Sequence, residues 1–94
     1  MPAHQDIGEG ALVLGQLLGY DDRNERVAVL EAGLRLRGAD FAKDMRRLTQ
    51  EALEGFKVVP GGVDQELIER VEDIDSIIQE YIDGQEAVND NAFQ

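Results

Sequence analysis

Residues 64–83 read DQELIERVEDIDSIIQEYID. Leu67, Val71, Ile74, Ile78 and Tyr81 recur at alternating spacings of four and three, which on an α-helix puts them along one side. A seam of this kind packs along another helix, in the same chain or a second copy. Ile68, Ile77 and Ile82 lie beside it and widen the apolar stripe. A wide stripe touches more than one neighbour, so a bundle is expected rather than an isolated two-stranded coiled coil. About three heptads would also be short for a free-standing one.

The same segment is heavily acidic, with Glu66, Glu69, Glu72, Asp73, Asp75, Glu80 and Asp83 as the candidate acidic face. From Val58 to the C-terminus ten acidic residues oppose Arg70 alone, so most of the net charge of −11 lies on the last third of the chain. Such a charge repels phosphate backbones, and no direct nucleic-acid binding is expected. A basic protein partner would be favoured on encounter.

Working outward, the KVVPGGV stretch at 57–63 holds Pro60-Gly61-Gly62, the strongest turn signal in the chain. It separates the 64–83 helix, capped by Asp64 and ended by Gly84, from a helix over 40–56. There Phe41, Met45, Leu48, Ala52 and Phe56 form one apolar face. A further helix is expected over 22–37, started by Asp22 with Glu25 three residues on. Its stripe is Val27, Leu30 and Leu34, widened by Val29, Ala32 and Leu36, and Gly38 stops it. The first helix is expected over 10–19. It is apolar nearly all round, so it needs burial, and Gly15 and Gly19 would let another backbone approach closely.

The fold class is therefore all-α: a bundle of about four helices (10–19, 22–37, 40–56, 64–83), assembled as a helical dimer. Residues 1–9 are expected as a flexible lead-in, 10–84 as a single helical domain and 85–94 as a flexible acidic tail in which Phe93 could dock on something. A chain of 94 residues has a thin core, to which assembly would add.

The chemical motifs fail on their spacing. Gly8-x-Gly10 lacks the third glycine and the preceding strand of a dinucleotide fingerprint, and Gly10-x4-Gly15 is followed by Gln16-Leu17 where a phosphate loop needs Lys and Ser or Thr. Asp73-x-Asp75 opens like a calcium loop, but the sixth position is Ile78 and the twelfth Gly84. The single histidine, His4, is remote from every Glu that a di-iron site would use. With no cysteine, and with Ser76 and Thr49 far from His4, no nucleophile is set up for catalysis. A non-enzymatic protein without metal or cofactor is expected. MPAHQDIGEG has no basic leader and the apolar run 11–18 is too short to span a bilayer, so a cytoplasmic, membrane-free protein is the expectation.

A basic cluster, Arg35, Arg37, Lys43, Arg46 and Arg47, gathers around Gly38. Facing the acidic helix, it would set register rather than hold the fold, because exposed pairs contribute only about 0–1 kcal/mol. It could otherwise form a small anion-binding patch. Three functions fit these features. The first is a regulatory or adaptor protein working through helix-mediated protein binding, as a homodimer. Its seam, Leu67 to Tyr81, would pack on Val27, Leu30, Leu34, Phe41, Met45 and Leu48. The second is an acidic DNA-mimic inhibitor of a basic nucleic-acid-binding protein, of the phage or mobile-element anti-defence type. The third is a small structural subunit of a larger assembly.

Overall fold

The computed structural model describes the backbone of residues 2–92 and the side chains of residues 10–86. Over that range the protein is all-helical: α1 (Pro2–Leu18), α2 (Arg23–Phe56) and α3 (Gln65–Ala92). There is no strand among the described residues, and none of their helices is long and apolar enough to cross a membrane. Phe93 lies outside the described residues, as does the side chain of His4.

Three helices stand where four were expected, because the predicted segments 22–37 and 40–56 are both parts of α2. Gly38 interrupts that helix at one residue, with φ 87° and ψ −169°. That combination is essentially restricted to glycine. Helical geometry resumes at once, so α2 consists of two helical arms that meet at Gly38 with no loop between them, the second starting just after Gly38 rather than at Asp40.

The break nevertheless reverses the chain. Arg26 reaches Asp73 of α3 (Nη2 to Oδ2, 3.9 Å), and Thr49 reaches Asp75 (Oγ1 to Oδ1, 2.6 Å). A straight helix would hold residues 26 and 49 about 34 Å apart, too far to meet positions two residues apart on α3. The arm 23–37 therefore runs parallel to α3, with Leu34 and Arg35 beside Ile77 and Tyr81. The arm 39–56 runs back along it, from Lys43 near Glu86 to Phe56 near Ile68.

Helix ends differ from expectation for local reasons. Proline is favoured at a first helical position, where its missing N–H costs nothing, and α1 begins at Pro2 rather than at 10. Gly84 does not end α3. A glycine stops a helix by adopting positive φ, which among the described residues only Gly38, Gly61 and Gly62 do. The expected caps are in place: Asp22 accepts from the Asn24 N–H at 3.0 Å, and Asp64 from that of Glu66 at 3.2 Å. Between α2 and α3, the Gly62 N–H donates to the Val59 carbonyl at 3.0 Å, with Pro60 second and positive-φ Gly61 third in the turn. That is the residue order of a type II turn.

The core joins all three helices. Leu17 of α1, Leu30, Leu34, Ala42 and Met45 of α2, and Ile74, Ile78 and Ile82 of α3 form one buried cluster, and Val71 is buried as well. On α3 the buried line is thus Val71–Ile74–Ile78–Ile82, with Leu67 and Tyr81 half-buried at its margins. On the arm 39–56 the innermost positions are Ala42, Met45 and Thr49; Phe41, Leu48, Ala52 and Phe56 are half-buried. The expected stripe is thus rotated about Met45, toward Ala42 and Thr49 and away from Phe41, Leu48 and Phe56. The tight glycine is Gly10, against side chains of α2 rather than another backbone, and not Gly15. A Cβ on Gly10 would lie 2.9 Å from Leu48 Cδ1 and 3.0 Å from Asp44 Oδ2, whereas one on Gly15 would meet nothing within 4 Å.

Candidate functional site

With one side of α3 turned into the core, its opposite side is fixed. Glu69, Glu72, Ser76, Glu80 and Asp83 follow at steps of three, four, four and three, and all are exposed. At a rise of about 1.5 Å per residue the row is about 21 Å long.

The candidate acidic face divides into carboxylates used by the fold and carboxylates left over. Asp73 takes a two-point pair from Arg23, Nε to Oδ2 at 3.0 Å and Nη2 to Oδ1 at 2.9 Å. This pairing, the hydrogen bond first and the charge second, holds the Arg23 guanidinium above its ordinary pKa. Asp73 also faces the buried Arg26, whose Nη1 donates to the Tyr20 carbonyl at 2.8 Å. Asp75 accepts from Thr49 and from Gln50 Nε2 (3.0 Å), with Arg46 Nε at 3.9 Å. Glu66 is 2.8 Å from Arg70 Nη2.

The outer row has no such partners. Among the described residues no Lys or Arg lies within ion-pair distance of Glu69, Glu72, Glu80 or Asp83. Among the described residues Asp83 accepts from Gln79 (2.8 Å), and Glu69 from Gln65 (3.5 Å).

Of the expected basic cluster, Arg46 lies within ion-pair distance of Asp75 on α3, Nε to Oδ1 at 3.9 Å. Arg47 is held on its own arm by Asp44 (2.8 Å) and Glu51 (3.1 Å), hydrogen bonds that raise its pKa, Asp44 contributing most. Arg37 sits over the Phe41 ring, 5.2 Å from its centre. Arg35 is exposed beside Glu80 and Tyr81, and Lys43 lines an open groove of about 410 Å³ with Gln79, Ile82 and Glu86. Arg23 and Arg26, outside that cluster, also fasten α3, together with Arg70 of α3 itself. Arg70 donates to the Leu18 carbonyl at 2.9 Å and pairs with Asp21 at 3.2 Å, tying the end of α1 to α3. One signal for Arg70 was present in the sequence: a lone base in an acidic helix. For Arg23 and Arg26 there was none, because their partner lies about fifty residues away.

The seam residues are consumed by the chain's own core: Val71, Ile74 and Ile78 have no exposed surface. Among the described residues, no group of three His, Asp or Glu side chains is placed to hold a metal ion. Comparison with protein-family models, with curated proteins and with solved structures gave no match.

The two kinds of carboxylate should separate in a stability measurement. Asp73→Ala removes the carboxylate facing the buried Arg26, leaving it the Tyr20 carbonyl, and should cost about 1–3 kcal/mol, whereas Glu80→Ala should stay within about 0.5 kcal/mol. Urea midpoints of the two variants check this; equal losses would mean that Asp73 does not hold the arm 23–37.

Proposed function

We propose that the protein is a non-enzymatic regulatory or adaptor protein that binds a basic protein partner through the outward face of α3. The observation that carries this reading is the row Glu69, Glu72, Glu80 and Asp83: exposed, without ion pairs among the described residues, and directly opposite the buried side of the helix. Among the described residues, carboxylates left in this way give up no ion pair when a partner engages them, and at most an exposed glutamine hydrogen bond. They attract a basic surface and discriminate against acidic ones. A nucleic-acid-binding groove is one surface of that kind, and there the row would stand in for phosphates. The protein's own charge of −11 argues against direct nucleic-acid binding.

The test is affinity capture from the native host, with the wild-type chain and with a Glu69→Lys, Glu72→Lys, Glu80→Lys variant, at low and at high salt. A partner lost on charge reversal and weakened by salt is the expected result, since exposed pairs are screened over about 8 Å at physiological ionic strength. A complex that survives both changes would overturn the acidic-face reading.

Self-association is a second reading, and Leu12 supports it. This residue is 69% exposed on the most apolar helix of the chain, in the run for which burial was expected. A homodimer through α1 would cover it without using the α3 seam.

A further inference from the structure

The acidic row passes the edge of a small apolar groove. Leu53 and Phe56, at the end of α2, and Ile68, at the start of α3, form its walls, with Lys57 and Glu72 on its rim. Its volume is about 150 Å³; a closed apolar cavity of about that size accepts a benzene ring. Just past Lys57 the chain leaves Val58 and Val59 in solvent, 79% and 41% exposed. Isolated exposed apolar residues are ordinary, but these follow the rim residue Lys57 directly in sequence.

The charge of the rim selects the occupant. Lys57 is turned to Glu54 (Nζ to Oε2, 3.0 Å), which leaves Glu72 as the rim charge without an ion pair among the described residues. Glu72 also belongs to the outer row, so apolar and acidic surfaces share a residue. A second copy of this chain would bring a charge of −11 toward that row, which is repulsive. We propose that the groove receives an apolar side chain from a basic segment of the partner, whose Lys or Arg residues lie along Glu72 and the row beyond it. This rests on the acidic-face reading and adds an anchor to it.

Three synthetic helical peptides test it by amide NMR titration of the intact protein: one with a Lys face and a Leu face, one with Leu replaced by Ser, and one with Lys replaced by Glu. The Lys/Leu peptide should bind at least about tenfold more tightly than the Lys/Ser peptide, the margin expected for burying one Leu. Its shifts should centre on Leu53, Phe56, Ile68 and Glu72, and Glu72→Gln should weaken it.

Equal binding by the Lys/Ser peptide, with shifts confined to the row, would overturn the anchor and leave the acidic face standing. No binding by either Lys peptide would overturn both. Equal binding by the Glu/Leu peptide would overturn the basic occupant. Concentration-dependent shifts at Leu53 and Ile68 without peptide would mean that a second copy fills the groove, and would overturn the proposal.

Discussion

Ile74→Asp should leave the chain unfolded. Ile74 has no exposed surface and lies in the one cluster that joins α1, both arms of α2, and α3. Truncating such a side chain to Ala costs about 2–5 kcal/mol, from lost transfer energy and the cavity left behind. A carboxylate in the same place adds the cost of a buried unpaired charge, which is larger still. Against a total stability of about 5–15 kcal/mol, the sum exceeds what a small core tolerates. Circular dichroism should show loss of helix, and Ile74→Ala should melt at least about 10 °C below the wild type. Ser76→Asp provides the contrast. Two residues further on, it lies in the outer row and should fold with unchanged helicity. Native helicity in Ile74→Asp would mean that the buried side of α3 had been assigned to the wrong residues.

Gly38→Ala should destabilise the protein by about 1–3 kcal/mol, although the added methyl group meets nothing within 4 Å. The cost lies entirely in the backbone, since φ 87° with ψ −169° is a conformation that side chains with a Cβ avoid. Gly33→Ala, in the same helix and equally unobstructed, should change stability in the other direction. Gly33 has ordinary negative φ, so alanine there gains up to about 1 kcal/mol by its helix propensity and by restricting the unfolded chain. Thermal melts of the two variants, run side by side, separate backbone conformation from packing. Shifts of the same sign would show that the reversal does not depend on the conformation of Gly38.

The fold was legible in the sequence wherever one local rule decided it. The Leu30–Leu34 and Val71–Ile74–Ile78 spacings marked buried sides, Asp22 and Asp64 marked helix starts, and Pro60-Gly61-Gly62 marked the turn. Rules failed where two outcomes were locally close in energy. Gly84 could end a helix or sit within one, and nothing nearby in the sequence decides between the two. Gly38 was read as a stop, and it does break the geometry, but one glycine can reverse a helix without a loop. Which side of the arm 39–56 is innermost depended on fit against α3. Periodicity ranks side chains by apolarity and therefore favoured Phe41 and Phe56 over Ala42 and Thr49. The candidate site was half legible. The acids were plain, but which of them the fold neutralises depended on Arg23 and Arg26 meeting Asp73 across three-dimensional space.

That partition changes how the molecule looks from a distance. Asp73, Asp75 and Glu66 are met at short range by arginines or by hydrogen-bond donors of the same chain, and much of the middle of the sequence is self-neutralised. If the acidic-face proposal holds, an approaching basic surface would be drawn in by the net charge of −11 while it is far away. At contact it would meet a short row of carboxylates, Glu69, Glu72, Glu80 and Asp83. The first quantity governs how fast encounters occur, and the second how many ions are released when one succeeds. Recognition would then be long-sighted in attraction and local in valence, with the arginines inside the fold setting the difference.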